Sequence, residues 1–142
     1  MAEHDIYAVY QRLITEAFNK GDLSVVDEIL APDFLEHEHG AETVGPEPLK
    51  QAITGLRTAL PDVHLEIVSH AVAGDKLWCR ILTAGTNTGP FMHHAPTGLP
   101  VKIETMDETR FVDGRMAEHW GVVDNFAMFM QLGLVNDPTK PE

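Results

Sequence analysis

Two aspartates near the end of the chain are the first candidates for chemistry. The dipeptide Asp113-Gly114 is typical of a two-residue β-hairpin turn. That turn would pair Asp107 with Trp120, and strand alternation would then place several polar side chains on one face. The predicted face carries Asp107, Thr109, Glu118, Trp120 and Asp124. If it borders an apolar cavity, burial raises a carboxyl pKa, and one carboxyl can act as a general acid or base.

Two alternatives to this interpretation remain open. The same face could be exposed to solvent or lie at a dimer interface, and a β-bulge would change which side chains point inward. His119 has the opposite parity to Trp120, so the uninterrupted register predicts that it points away from the cavity. Hydrogen-bond donors for a developing oxyanion could come from His119, Trp120, Asn87 and Tyr10. For Asn87 we favour a loop role in which its amide closes a turn.

The histidines suggest a different kind of site. His37 lies in a loop four residues after Asp33, where it could orient a ligand or shuttle a proton, or simply be a hydrogen-bonded loop residue. The run Glu36-His37-Glu38-His39 and the pair His93-His94 could hold a metal ion if their loops met. Their spacing matches no zinc signature, so we predict no metal.

Several apolar residues could line a binding cavity. Phe91 and Met92 lie in a loop rich in Gly and Pro, as the residues of a lid would. Tyr10 and Phe18 lie on the apolar face of the first predicted helix. We predict that substrate contacts Trp120, Glu118, Asn87, Phe91, Met92, Tyr10 and Phe18, and that the catalytic groups are Asp107, Asp124 and His37.

The elements that would position these residues fall into two halves. Helical periodicity predicts a first helix that ends at Gly21, a second from Asp22 to the segment 31–33, and a third from Gly45 to Pro61. The segment 34–39 could be one turn or a short strand. Strands are predicted over 63–68, 77–84, 101–112 and 115–123, followed by a helix over 125–132. This order predicts an α+β fold with a curved antiparallel sheet whose concave face is covered by three N-terminal helices.

Length, composition and charge narrow the range of functions. The 142 residues predict a single domain over 1–134 with a C-terminal tail over 135–142. A net charge of −12 disfavours nucleic acid and anionic membranes as partners. One cysteine, Cys79, and the absence of a signal-peptide pattern predict a reducing, cytoplasmic location.

Three groups of residues carry a family likeness over about residues 5 to 134. They are Ala17-Phe18-Asn19-Lys20-Gly21-Asp22 with Leu30-Ala31-Pro32-Asp33-Phe34; Gly85-Thr86-Asn87-Thr88-Gly89 with Pro96-Thr97-Gly98; and Phe111 to Trp120 with Asp124 and Gln131-Leu132-Gly133. In this order and spacing they resemble the SnoaL-like polyketide cyclase family, within the nuclear transport factor 2-like superfamily.

The resemblance implies a cone-shaped α+β barrel, usually a homodimer, with an apolar cavity and neither a metal nor an organic cofactor. It also implies an intramolecular aldol condensation, with an aspartate as acid/base and a histidine that assists it. The matching positions depart from that pattern: Gly121 stands at the aspartate, Asp107 at the histidine and Glu36 near an asparagine.

The resulting hypothesis is a cofactor-independent cyclase, lyase or isomerase that acts on an apolar, oxygenated, polyketide-like molecule. One alternative is a non-catalytic protein that binds or carries such a molecule, which Gly121 favours. Another is an epoxide-hydrolase-like hydrolase, which would need an Asp-Arg-Asp set. Arg110 and Arg80 are available, but alternation puts Arg110 on the face opposite Asp107.

Overall fold

The helices occupy the N-terminal half and the end of the chain. The computed structural model describes residues 2–38 and 40–142, without the side chain of His4. Helix α1 (Glu3–Arg12) continues into a π-helical segment (Leu13–Phe18), and the other helices are α2 (Ser24–Ile29), α3 (Glu47–Ala59) and α4 (Asn125–Gln131). Pro46 precedes α3 and Pro48 lies in its first turn, where a proline costs no hydrogen bond.

Six strands form one sheet in the order β2-β1-β6-β5-β4-β3. Their bounds are β1 (Leu30–Glu38), β2 (Ala41–Val44), β3 (His64–Ala73), β4 (Lys76–Thr86), β5 (Pro100–Val112) and β6 (Arg115–Val123). The predicted α+β class with a curved sheet is confirmed. The predicted strands β3 to β6 are all present, and Asp113 and Gly114 both have positive φ, as the predicted hairpin turn requires.

The start of the sheet differs from the prediction. Residues 30–38 form a full strand, β1, which pairs parallel to β6, so the sheet is mixed rather than wholly antiparallel. Pro32 suggested the end of a helix, but near the start of a strand a proline is equally compatible because its fixed φ suits extended backbone. Strand β1 brings Glu36 and His37 next to His119 and Trp120, respectively.

A β-bulge in the β5–β6 hairpin decides which side chains share a face. Phe111 pairs with Met116 as predicted, but the next pair is Arg110 with Glu118, which leaves Ala117 as an extra residue on β6. Beyond this point Asp107 pairs with Gly121 rather than with Trp120. The predicted register is therefore wrong from the pair Arg110–Glu118 onwards, because one inserted residue reverses the alternation of side chains along β6.

The core lies between the helices and one face of the sheet, here called the inner face. Phe34, Ile53, Leu77 and Met116 are among its fully buried side chains. In the described part of the chain, no helix is long and apolar enough to cross a membrane. The cytoplasmic location, and the division between a domain ending at 134 and a tail, stay predictions.

Candidate active site

A cavity of about 230 Å³ opens between the inner face and the helices. The π-helical segment, α3 and α4 contribute apolar side chains that include Leu13, Phe18, Leu56 and Met128. The sheet contributes Ile81, Ile103 and Val123 together with a few polar groups. This is the composition of a small-molecule site, since apolar walls provide affinity and a few polar groups fix orientation.

Asp107, on β5, is a buried polar group of the cavity wall, with its side chain 4% exposed. Its Oδ2 atom accepts a hydrogen bond from the Tyr10 hydroxyl and a second from His119 Nε2 at 3.1 Å. Tyr10 is buried on α1, and burial next to the Asp107 carboxylate raises the pKa of its phenol well above the usual value. The phenol therefore stays protonated and donates to Asp107.

His119, on β6, connects Asp107 to a second carboxylate. Its Nδ1 lies 2.6 Å from Glu36 Oε1, while Nε2 faces Asp107. Burial favours the neutral ring, but the hydrogen bonds to Asp107 and Glu36 outweigh burial and raise the pKa of His119 to about 10. At neutral pH the ring is an imidazolium that donates from both nitrogens, so the row Glu36–His119–Asp107 carries one net negative charge.

Two buried side-chain oxygens have no hydrogen-bond partner in the described part of the chain. They are Asp107 Oδ1 and Thr109 Oγ1, which lie on the same face of β5. Natural proteins rarely leave buried polar atoms unpaired, and functional sites are a common exception. Asp107 thus has one oxygen held by two donors and a second oxygen with no donor among the described residues.

The structure brings three of the predicted site residues together. Asp107, Tyr10 and Phe18 all line the cavity. Gly121 and Glu36, the positions singled out by the family resemblance, also line it.

Trp120 and Glu118 lie on the opposite, outer face of the sheet because of the bulge, and His37, on β1, lies beside them on that face. His37 stacks on Trp120 with ring centroids 5.0 Å apart, and its Nε2 lies 2.7 Å from Glu118 Oε2. Glu118 also accepts from Arg110 at 3.2 Å, and these two partners lower its pKa, His37 more than Arg110. The structure therefore does not support catalytic or substrate contacts in the cavity for these three residues.

Asp124 and Asn87 have structural roles. Asp124 is exposed and caps α4 by accepting from the Ala127 amide at 3.1 Å. Asn87 is buried outside the cavity wall, where its amide nitrogen donates to Ala59 O and Gly89 O. Its side-chain oxygen accepts from Thr97, so Asn87 closes the loop, in line with the loop role expected for it.

The predicted lid residues and metal ligands lie elsewhere. Met92 is 73% exposed, and Phe91 packs against Phe129 of α4 with ring centroids 6.2 Å apart, so neither lines the cavity. His93 and His94 are exposed, and His39 lies outside the described residues. Within residues 2–38 and 40–142, no three potential ligands are grouped so that they could hold a metal ion.

His119 is the functional residue that alternation assigned to the wrong face. A signal for the correct register was present, because that register pairs Arg110 with Glu118, two opposite charges that stabilise each other across strands. The uninterrupted register would have placed Thr109 opposite Glu118. Glu36 could not be placed from sequence alone, because its position depends on the parallel pairing of β1 with β6.

Comparison with known proteins agrees with this architecture. The family model for SnoaL-like polyketide cyclases matches residues 8–132. Aklanonic acid methyl ester cyclase from Streptomyces sp. (strain C5) is 29% identical over 126 residues, which cover 86% of this chain and 78% of that protein. Nogalonic acid methyl ester cyclase from Streptomyces nogalater is 30% identical over 124 residues, which cover 84% of this chain and 92% of that protein.

Solved structures show the same fold. The crystal structure of AclR, a proposed hydroxylase from Streptomyces galilaeus, matches with a TM-score of 0.87 and 29% identity, over 98% of this chain and 87% of that one. IdmH, a proposed polyketide cyclase from Streptomyces antibioticus, matches with a TM-score of 0.79 and 30% identity, over 90% of this chain and 98% of that one. The family match spans most of the chain, and the chain belongs to the SnoaL-like polyketide cyclase family.

Proposed function

We propose that this protein is a cofactor-independent cyclase of a polyketide-like molecule, with Asp107 as its general acid/base. The observation that carries the proposal is the environment of Asp107. The carboxylate lies in the wall of an apolar cavity, with Oδ2 held by Tyr10 and His119 and Oδ1 unpaired. The named cyclases among its relatives provide independent support.

The proposed reaction is an intramolecular aldol addition. Asp107 takes a proton from a carbon between two carbonyl groups, and the electron pair of the broken C–H bond delocalises as an enolate. The enolate carbon forms a C–C bond to a third carbonyl carbon of the same molecule, whose π electrons move onto its oxygen. The protonated Asp107 then returns its proton to this alkoxide. The product is an isomer of the substrate, with no change in oxidation state.

The neighbours of Asp107 would orient it rather than exchange protons with the substrate. Tyr10 and His119 both donate to Oδ2, which fixes the plane of the carboxylate. Thr83, Thr105 and Asn125 also line the cavity, and their hydroxyl and amide groups can donate to a developing oxyanion.

The charges of the cavity indicate a substrate without a free carboxylate. Three carboxyl-bearing residues line it, Glu36, Glu38 and Asp107, and among its described lining residues there is no lysine or arginine. The one cationic ring, His119, is already engaged by two carboxylates. A substrate carboxylate would lose hydration without gaining a partner, so a methyl ester should be preferred to the free acid by about tenfold or more.

The test replaces Asp107 with asparagine and uses Asp124→Asn as the matched control. Asparagine caps helices as well as aspartate does, so the control should retain wild-type activity within about twofold. Aklanonic acid methyl ester in D₂O is the probe, with cyclisation followed by chromatography and α-carbon deuteration followed by mass. Asp107→Asn should slow both by about 100- to 10,000-fold. Equal rates for the two variants would exclude Asp107 as the base.

The same experiment distinguishes catalysis from simple binding of the probe. If the probe binds to the wild-type chain but is neither deuterated nor cyclised, the protein binds this class of molecule without acting on it. The hydrolase alternative has no support in the cavity, because Arg110 and Arg80 lie on the outer face, paired with Glu118 and Glu104. No described arginine completes an Asp-Arg-Asp set.

We also propose that two copies of the chain pair through the outer face. Trp78, Met106 and Val122 expose apolar surface there, and Val122 is 75% exposed. They lie on adjacent strands, β4, β5 and β6, with Met106 directly paired with Val122. Light scattering should report a dimer, and Val122→Lys, which places like charges at the interface, should shift it towards monomer.

A further inference from the structure

Gly121 is a glycine in the interior of a strand, where glycine usually weakens the sheet. Its φ is not positive, so its backbone does not demand glycine. The neighbouring side chain favours glycine instead, because a Cβ atom built on Gly121 would lie 3.0 Å from Cε1 of His119. A contact this short is tighter than nine in ten Cβ contacts in real proteins, so the ring would have to give by a few tenths of an ångström.

The His119 ring has little freedom to move. Cε1 is the carbon between the two ring nitrogens, and both nitrogens are engaged, Nδ1 with Glu36 at 2.6 Å and Nε2 with Asp107 at 3.1 Å. A push on Cε1 therefore displaces both donors at once. The side chains of His119 and Glu36 are only 16% and 15% exposed, so surrounding atoms limit any compensating shift.

We infer that Gly121 is a positioning residue, because the space left by its missing side chain lets His119 bridge Glu36 and Asp107. Gly121 lies directly opposite Asp107 in the β5–β6 pairing. A side chain at 121 would press on the imidazolium ring that bridges Glu36 and Asp107. This inference extends the proposed function, since it explains how Asp107 on β5 is held in place.

The close approach of His119 to position 121 also affects the substitution of Gly121 by aspartate. The family resemblance implies an aspartate at position 121. In this chain Gly121→Asp would place its Cβ against His119 and bring a third carboxylate next to Glu36 and Asp107. We therefore expect Gly121→Asp to lower activity rather than raise it.

The first test is Gly121→Ala, with Gly55→Ala as its matched control. Gly55 lies in helix α3, does not have a positive φ, and would carry a Cβ with no other atoms within 4 Å. Nitrogen-15 NMR of the His119 imidazole should show a pKa lower by about one unit or more in Gly121→Ala and unchanged in Gly55→Ala. With the same methyl ester probe, kcat should fall about tenfold or more. An unchanged His119 titration in Gly121→Ala would overturn the inference.

A double-mutant cycle keeps the test decisive if Gly121→Ala folds poorly. In a His119→Ala background the clash is gone, so adding Gly121→Ala should leave the urea midpoint of unfolding unchanged or raise it, since alanine loses less backbone entropy than glycine. The same substitution should lower that midpoint when His119 is present. Equal losses in both backgrounds would contradict the inference. The cycle needs no substrate, so it stands or falls independently of the proposed cyclase activity.

Discussion

The two faces of the sheet carry the same chemical group in two different settings. On the inner face His119 bridges Glu36 and Asp107, whose side chains are only 15% and 4% exposed. On the outer face His37 contacts Glu118 and Glu42, and Glu42 is 67% exposed. Glu118 is 18% exposed, close to the value for Glu36, so the faces differ in the second carboxylate of each group. Water screens Glu42 but not Asp107. A histidine between two carboxylates occurs on both faces, so its presence alone does not indicate a reactive site. The degree of burial distinguishes the site in the cavity from the ion pairs on the outer face.

The largest expected effect comes from removing each histidine. His119→Phe leaves Glu36 and Asp107 buried without a cation between them, and it should lower the free energy of unfolding by about 3–5 kcal/mol. His37→Phe removes partly exposed pairs and should cost less than about 1 kcal/mol. Urea unfolding at pH 7 measures both values. Similar losses for the two variants would mean that the faces do not differ as we describe.

The pH dependence of stability should come next in size. The pKa of His119 is about 10 in the folded chain and about 6.5 when unfolded, so the folded state binds more protons between these values. The stabilisation is complete below about pH 6.5 and is lost as pH rises through about 10, at roughly 1 kcal/mol per pH unit. Urea unfolding from pH 7 to 9 should show this slope in the wild type and not in His119→Phe.

Tyr10→Phe should have a smaller effect that concerns activity. It removes one of the two donors to Asp107 Oδ2 and leaves His119 in place. We expect kcat to fall about tenfold, which corresponds to about 1.4 kcal/mol, near the lower end of the range for a hydrogen bond to a charged group. Tyr7→Phe is the control, because Tyr7 stacks on His70 outside the cavity wall. Equal rates for the two variants would assign Tyr10 a purely structural role.

Thr109→Val should have the smallest effect and the opposite sign for stability. The Thr109 hydroxyl is fully buried with no hydrogen-bond partner among the described residues, and valine has nearly the same shape. Removing an unsatisfied hydroxyl should raise the free energy of unfolding by up to about 1 kcal/mol. A melting temperature below that of the wild type would show that the hydroxyl makes a stabilising interaction.

The sequence predicted the parts of the fold that depend on local pattern. The hairpin at Asp113-Gly114, strands β3 to β6 and helix α3 follow from turn chemistry and periodicity, which neighbouring residues encode. For strand β1 the sequence left only a short strand or one turn over 34–39 open. Its full length and its parallel pairing were not predicted, because its partner β6 lies some 80 residues away along the chain. Residues 30–38 form a strand because they pair with β6, and the local sequence does not encode that pairing.

The sequence predicted some of the residues that form the site better than it predicted which face of the sheet each residue lies on. Asp107 and Tyr10 reach the cavity because they lie on a strand and a helix with an unbroken period, and Phe18 reaches it although the helix becomes π-helical from Leu13. Beyond the bulge at Ala117 each alternation on β6 is reversed, so Trp120 and Glu118 exchange faces with His119. A bulge is set by tertiary packing and pairing energy as much as by residue type, and alternation alone cannot locate it.

The extra residue at Ala117 also bears on how such a site could evolve. Deleting this single codon would restore regular alternation, turn Trp120 and Glu118 towards the cavity and carry His119 to the outer surface. No point substitution could turn these β6 side chains over together in this way. Insertion and deletion within one hairpin, rather than the gradual replacement of side chains, would then be the shortest genetic route between different active sites on this scaffold.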